Sequence, residues 1–278
     1  MSDAVRIPVG SMTFDALVDG PTDGALVVLL HGFPETAHEW THVIGPLADQ
    51  GYRVVAPSTR GISSDARPAS VDAYHVRLLT DDVLAIAASE RDEPFHLVGH
   101  DWGALIAWHV AAHHPDMVRS LTSVSVPHPR PFATARREDA DQQQRSSYIA
   151  TFRTPEVGEG FMLDGDAAVL RAALAELDPI DASEHLRVLS DRAAMTAGLN
   201  YYRMWDDALD ELPDVTVPTL YVWGTADPAL GRTPAEATKD CVRAPYRFEV
   251  FEGVGHWIPE VAADRLVPLL LEHFESAS

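Results

Sequence analysis

The sequence contains a single cysteine, Cys241, among its 278 residues. One thiol cannot form an internal disulfide, so we expect a protein of the reducing cytoplasm. The first residues show no basic stretch followed by an apolar one, and no signal peptide is expected. The longest purely apolar runs, such as Ala25 to Leu30, have six residues. A helix that spans a bilayer needs about 20, so no membrane segment is predicted.

Positive charge is also scarce. The chain has 42 acidic residues against 21 basic ones, which gives a formal charge of −21. Such a charge repels nucleic acid and anionic lipid, so neither is expected as a partner. Lys239 is the only lysine, and we interpret the excess of arginine and alanine as the codon bias of a GC-rich bacterial genome.

The rest of the composition is that of an ordinary globular protein, with 46% hydrophobic and 23% charged residues. Up to residue 126, short apolar segments alternate with segments of helical periodicity, which predicts parallel strands joined by right-handed crossovers. The predicted strands are Val5–Val9, Thr13–Val18, Leu26–Leu30, Arg53–Ala56, Phe95–Val98 and Leu121–Val124, and the predicted helices are Glu39–Ala48, Val76–Ala88 and Trp102–His113.

A helical insertion is predicted after this region. The proline-rich segment PHPRP should end regular structure, and residues 131–212 show helical periodicity without a convincing strand. Residues 1–130 and 213–278 then form an α/β core, interrupted by this helical domain. The clearest later elements are helices at Ala167–Leu177 and Ala193–Trp205, strands at Thr219–Trp223 and Arg247–Phe251, and a last helix from Pro259 to about Phe274.

The segment from Gly99 to Gly103 carries the most specific chemical signal. It reads Gly-His-Asp-Trp-Gly between a predicted strand and a predicted helix, which is the Gly-x-nucleophile-x-Gly elbow with Asp101 at its apex. The glycines permit a sharp turn, and the N-terminus of the helix stabilises an anion there. Taken alone, Asp101 is equally well explained as a helix cap between two turn glycines.

Two later residues complete a catalytic pattern. Asp227 lies just beyond the predicted strand Thr219–Trp223, and His256 follows the strand Arg247–Phe251. The order nucleophile, acid, histidine is that of the α/β hydrolases. All three positions fall at the carboxyl ends of parallel strands, where open α/β sheets place their sites. Each residue alone fits a capping or loop role, but their joint spacing favours a triad.

The segment His31-Gly-Phe33-Pro34 follows the buried strand Leu26–Leu30. In this position an α/β hydrolase supplies one N–H group of its oxyanion hole, and the residue after the nucleophile supplies the other. We therefore predict an oxyanion hole made by the backbone N–H groups of Phe33 and Trp102. A plain tight turn is the alternative.

Together the motifs HGFPE, GHDWG, WGTADPAL and GVGHW resemble the epoxide hydrolase branch of the α/β-hydrolase superfamily, over nearly the whole chain. The resemblance implies a mostly parallel eight-stranded sheet flanked by helices, with a helical cap inserted between the sixth and seventh strands. It also implies a small-molecule epoxide and water as reactants. The core motifs also resemble the haloalkane dehalogenases, which share the Asp-Trp pair.

The cap separates these branches. Epoxide hydrolases carry two cap tyrosines that hydrogen-bond to the epoxide oxygen. The segment from Tyr148 to Pro155 is similar to their Tyr-x-x-x-Phe-x-x-Pro motif, and Asn200-Tyr-Tyr-Arg is similar to their Asn-Trp-Tyr-Arg motif. The resemblance thus assigns Tyr148 and Tyr202 to the substrate, with Trp102 as a further contact. Adjacent helical residues project about 100° apart, so only one of Tyr201 and Tyr202 should face the site.

An aspartate nucleophile also restricts the chemistry. A carboxylate suits displacement at a saturated carbon, where it forms an alkyl ester, and it is poorly suited to acyl transfer. Water activated by His256 and oriented by Asp227 would then hydrolyse that ester. The alternatives are a haloalkane dehalogenase and a non-catalytic ligand-binding protein, although the latter is expected to lack a triad member. With neither a Gly-rich phosphate loop nor a zinc-type Cys/His cluster, no cofactor or metal is expected.

Overall fold

The computed structural model describes residues 2–277. Within them, eight strands form a single sheet in the order β1-β2-β4-β3-β5-β6-β7-β8. β2 pairs antiparallel with β1 and β4, and every other neighbouring pair is parallel, so the predicted fold class is confirmed. The strands are β1 (Asp3–Val9), β2 (Met12–Asp19), β3 (Leu26–Leu30), β4 (Arg53–Pro57), β5 (Phe95–His100), β6 (Val118–Val124), β7 (Thr219–Gly224) and β8 (Tyr246–Phe251).

Helices cover both faces of the sheet. β3, β5 and β7 are buried at every residue, as expected of parallel strands packed between two layers. One layer contains α2 (Val76–Glu90) and α3 (Trp102–His113), and the other contains α1 (Thr41–Asp49) and α13 (Ala263–Ser276). Residues 102–111 of α3 are all buried, which places its first turn deep in the molecule.

Seven helices of the described chain lie between β6 and β7, and we call them the cap helices. Only residues 125–128 separate β6 from the first cap helix, which begins at Pro129. The segment PHPRP was expected to end regular structure, but the helix begins within it. Proline suits a first helical position, where its missing N–H group is not needed. The cap helices are α4 (Pro129–Glu138), α5 (Ala140–Arg145), α6 (Tyr148–Arg153), α7 (Val157–Ala173), α8 (Pro179–Leu189), α9 (Arg192–Arg203) and α10 (Asp207–Asp210).

The predicted helix Ala167–Leu177 is wrong at both ends. α7 spans Val157–Ala173 and is interrupted at residues 164–167, where Gly165, Asp166 and Ala167 have positive φ angles. Glycines weaken the helical pattern of its first half, and buried leucines beyond residue 173 lie in turns rather than in a helix. Between β7 and β8 lies α11 (Arg232–Ala237), and the predicted last helix is divided into α12 (Ile258–Val261) and α13. No helix among residues 2–277 is long and apolar enough to cross a bilayer.

Candidate active site

Asp101 occupies the sharp turn between β5 and α3. Its backbone has φ 46° and ψ −119°, a conformation that residues other than glycine rarely adopt. A Cβ atom on Gly99 would lie 2.3 Å from the Gly103 carbonyl oxygen, and one on Gly103 would lie 2.0 Å from that of Leu30. Glycine is therefore required at both positions for α3 to pack this closely against the sheet. The turn holds the Asp101 carboxylate at the carboxyl edge of the strands.

Asp227 and His256 meet Asp101 at this edge. Nδ1 of His256 donates a hydrogen bond to Oδ2 of Asp227 at 2.7 Å, and its Nε2 lies 3.5 Å from Oδ2 of Asp101. Oδ1 of Asp227 accepts from the backbone N–H groups of Ala229 and Leu230, at 2.7 and 3.0 Å. Asp227 is fully buried, so these bonds fix the carboxylate that orients the imidazole. The structure brings the three residues of the predicted triad together.

The charges of Asp101 and His256 stabilise each other. Burial alone would lower the pKa of His256, but attraction by Asp227 and contact with Asp101 raise it well above its usual value. Burial would likewise raise the pKa of Asp101, yet the imidazole of His256 and the N–H of Phe33 lower it. Asp101 is therefore ionised at neutral pH, the form that a nucleophile requires.

The loop after β3 also contacts Asp101. The backbone N–H of Phe33 donates to Oδ1 of Asp101 at 2.9 Å. Trp102 is the first residue of α3, and the N–H groups of a helix's first turn have no acceptor within the helix. One predicted oxyanion donor thus already contacts the carboxylate, and the other belongs to the residue that follows it.

A cavity of about 310 Å³ opens above Asp101. Tyr148 and Tyr202 both line it, and their ring centres lie 6.2 Å apart. Burial raises the pKa of each hydroxyl further above its usual value, so both remain protonated donors. The other lining residues are Phe33, Pro34, Phe152, Phe161, Met162, Val169, Ala172, Ala173, Glu176, Pro228, Ala229, His256 and Trp257.

Tyr201 and Tyr202 have different surroundings, as their adjacent positions on α9 require. The Tyr201 hydroxyl hydrogen-bonds to the hydroxyl of Thr59 at 3.0 Å and to the carbonyl of Arg60 at 2.5 Å, away from the cavity. The Trp102 side chain is not among the lining residues either. Its ring packs edge-on against Tyr202, with centres 5.1 Å apart. Trp102 therefore contacts the site through Tyr202.

Behind the triad lies a group of buried side chains that the sequence reading did not single out. Nε2 of His100 donates to the backbone carbonyl of His256 at 3.0 Å, and Nδ1 lies 3.2 Å from Glu35. Burial and the neighbouring carboxyl of Glu39 raise the pKa of Glu35 to about 7. Burial and Glu35 raise that of Glu260 to about 9. The sequence holds one signal for this group, the position of its members relative to the motifs. Glu35 and His100 lie inside HGFPE and GHDWG, and Glu260 follows GVGHW.

Within residues 2–277, two groups of buried or partly buried side chains bring possible metal-binding atoms close together. Glu35 belongs to both groups, one with Glu39 and His100 and the other with His185 and Glu260. Burial raises the pKa of all three carboxyls, and the protonated form that this favours donates hydrogen bonds.

Comparison with known proteins agrees with this geometry. Residues 25–263 match the model of the alpha/beta hydrolase fold family. The chain belongs to the α/β-hydrolase family. Over 97% of both chains it is 33% identical to the AB hydrolase superfamily protein YfhM of Bacillus subtilis. It is also 30% identical to epoxide hydrolase A of Mycobacterium tuberculosis, over 91% of each.

A solved structure extends the likeness to three dimensions. The crystal structure of epoxide hydrolase A from Mycobacterium thermoresistibile superposes with a TM-score of 0.86 at 26% identity. The superposition covers 99% of this α/β hydrolase and 98% of the Mycobacterium thermoresistibile chain. The resemblance to the epoxide hydrolase branch is thereby confirmed.

Proposed function

We propose that this α/β hydrolase opens epoxides to vicinal diols through an alkyl ester on Asp101. One observation carries the proposal: the Asp101 carboxylate and the hydroxyls of Tyr148 and Tyr202 belong to residues that line a single cavity. A nucleophile and two protonated donors are the groups that opening of a strained ether requires. The 30% identity to an epoxide hydrolase supports the same substrate class.

In the first step, Oδ2 of Asp101 attacks one epoxide carbon. A new carbon–oxygen bond forms as the epoxide carbon–oxygen bond breaks, and negative charge develops on the epoxide oxygen. Tyr148 and Tyr202 donate hydrogen bonds to that oxygen and supply the proton it takes up. Charge-assisted hydrogen bonds are roughly twice as strong as neutral ones, so these contacts are strongest as the ring opens.

In the second step, water attacks the carbonyl carbon of the Asp101 ester. His256 takes the proton of the water at Nε2, and Asp227 stabilises the imidazolium through Nδ1. The backbone N–H groups of Phe33 and Trp102 stabilise the tetrahedral oxyanion, and removal of one such donor typically costs roughly 3–4 kcal/mol. As this intermediate collapses, the protonated His256 gives its proton to the departing diol oxygen. Asp101 is released as a carboxylic acid, and its proton restores the tyrosine that had protonated the epoxide oxygen.

We further propose that residues 131–212 act as the cap and that residues 1–130 and 213–278 form the catalytic core. The triad comes from loops that follow β5, β7 and β8, while both substrate tyrosines belong to cap helices, Tyr148 to α6 and Tyr202 to α9. Substrate would then bind between the two parts.

The alternatives have less support. A haloalkane dehalogenase needs N–H donors that face the leaving halide, but the indole of Trp102 packs against Tyr202 and does not line the cavity. A non-catalytic binding protein would have no use for a complete triad with its hydrogen bonds in place.

A paired assay tests the proposal. The purified protein is incubated with styrene oxide and, separately, with a bromoalkane, and diol formation and bromide release are measured. We expect diol formation that Asp101→Asn abolishes, with little bromide release. Bromide release without diol formation would assign the protein to the dehalogenases instead.

A further inference from the structure

The cavity contains one charged side chain that the proposed reaction does not use. Apart from Asp101, Tyr148, Tyr202 and His256, every lining residue is apolar or aromatic except Glu176. A substrate placed against Asp101 therefore buries its reactive end among apolar groups and meets only one further charge.

Glu176 lies in the turn after α7, and its side chain is exposed to solvent. A Cβ atom on Gly255 would lie 2.6 Å from Oε2 of Glu176, so the carboxylate packs against the residue that precedes His256. None of the ion pairs found within residues 2–277 involves Glu176. Its charge at the mouth is thus open to a ligand.

We infer that Glu176 makes the enzyme select epoxides by the charge of the substituent farthest from the ring, favouring a cation over a neutral group and rejecting an anion. This inference rests on the proposed epoxide hydrolysis. The half-exposed ring of Phe161 also lines the cavity, and an aromatic face attracts a cation and not a carboxylate. The formal charge of −21 acts in the same direction over longer distances.

The test uses three epoxides of nearly equal size: styrene oxide, its para-carboxylate and its para-aminomethyl derivative. We measure kcat/KM for each with the parent, Glu176→Gln and Glu176→Lys. Every rate is divided by the same variant's rate on styrene oxide, which removes general effects on catalysis. Glu184→Gln is the matched control, because Glu184 is another cap glutamate and is not among the lining residues.

The parent should prefer the cationic over the anionic epoxide. Interaction with one exposed charge at close range is worth on the order of 1 kcal/mol. Glu176→Gln should therefore lower the normalised rate on the cationic epoxide roughly fivefold and raise that on the anionic epoxide roughly fivefold. Glu176→Lys should reverse the effect, and Glu184→Gln should behave as the parent. The Glu176-dependent part should weaken with added salt, because exposed charges are screened.

The experiment distinguishes a failure of the proposed epoxide hydrolysis from a failure of the proposed role of Glu176. If the parent forms no diol from any of the three epoxides, the proposed function is wrong and the inference falls with it. If diol forms but both Glu176 variants keep the parent's charge preference, epoxide hydrolysis stands and the role of Glu176 is overturned.

Discussion

The backbone N–H of Phe33 donates a hydrogen bond to Oδ1 of Asp101 at 2.9 Å, although 68 residues separate the two in the chain. This bond distinguishes the two carboxylate oxygens. Oδ1 is held at the proposed oxyanion hole, while Oδ2 lies 3.5 Å from Nε2 of His256. Oδ2 is therefore the oxygen expected to form the ester, and Oδ1 the one expected to carry the later oxyanion.

Replacing His256 should separate the two proposed steps. His256→Gln removes the base that activates water but leaves Asp101 in place to attack. With excess epoxide, mass spectrometry should show one added substrate mass on the peptide that contains Asp101. Asp101→Asn in the same background is the control and should remain unmodified. An unmodified His256→Gln protein that still binds substrate would contradict the ester mechanism.

The origin of the diol oxygen gives a second prediction. In a single turnover in ¹⁸O-labelled water, the new oxygen of the diol should be ¹⁶O, because it comes from Asp101. The label should enter the Asp101 carboxylate and reach the product only in later turnovers, and mass spectrometry of diol and peptide follows both. Labelled diol in the first turnover would mean that water attacks the epoxide directly.

The two tyrosines that line the cavity should both contribute to ester formation. Tyr148→Phe and Tyr202→Phe should each slow ester formation roughly tenfold to a hundredfold, since a hydrogen bond to a charged group is worth about 1.5–3 kcal/mol. The double variant should nearly abolish it without loss of fold, as rapid-quench kinetics and thermal melting would show.

Tyr201→Phe is the control for these variants. It removes the hydrogen bonds to Thr59 and Arg60, so it should cost about 1 kcal/mol of folding free energy and leave ester formation near the parental rate. Parental epoxide opening by the Tyr148/Tyr202 double variant would contradict the proposed role of the two hydroxyls.

The two steps should also depend differently on pH. Attraction by the carboxylates of Asp227 and Asp101 raises the pKa of His256, but an ester at Asp101 carries no charge. The pKa of His256 should therefore fall once the ester forms, which frees the imidazole to act as a base. Asp101 has a lowered pKa and stays ionised at pH 5, so ester formation persists there while hydrolysis slows. Rapid-quench mass spectrometry should find more ester at pH 5 than at pH 8; equal amounts would contradict this account.

The buried carboxyls should make stability decrease with pH. Glu35 and Glu260 have pKa values of about 7 and about 9 in the folded protein, above their ordinary value of 4.5. Folding then retains protons that the unfolded chain releases, so their contribution is complete below about pH 4.5 and is lost as pH rises towards 9. Buried histidines with lowered pKa values, among them His96 and His109, act in the opposite direction up to about pH 6.5, so the Tm of the parent should fall between about pH 7 and pH 9.

Glu260→Gln keeps a neutral hydrogen-bonding side chain at every pH and should flatten the fall in Tm. At pH 9 the variant should gain roughly 3 °C relative to the parent, the effect of about 1 kcal/mol in a chain of this size. Glu93→Gln, at an exposed position, should leave the slope unchanged. A parent Tm that rises between pH 7 and pH 9 would contradict the raised pKa values.

The sequence predicted strands and helices well where local pattern and burial agree. The strand Leu26–Leu30 and the helix Trp102–His113 are observed with the predicted bounds, since one is a continuous apolar run and the other begins directly after the apex of a glycine elbow. α7 was missed because its interruption at residues 164–167 places left-handed residues inside a helix, which no hydrophobic period reveals.

The buried carboxyls were unpredictable for a different reason. Glu35, Glu39 and Glu260 read as three of 42 scattered acids, and most acids in a chain of this charge are solvated. Only the tertiary fold brings residues 35 and 260 into contact with His100 and His185. A local sequence pattern cannot report such a long-range convergence.

The left-handed backbone of Asp101 gives the molecule a point of local frustration. A non-glycine residue in such a sparsely populated conformation typically raises the energy of the folded state by roughly 1–3 kcal/mol, and the surrounding packing must compensate. The Gly99 and Gly103 contacts that permit the turn also prevent it from relaxing. Natural variation at position 101 is therefore expected to trade activity against robustness: glycine there would relieve the torsional conflict and remove the nucleophile in the same step.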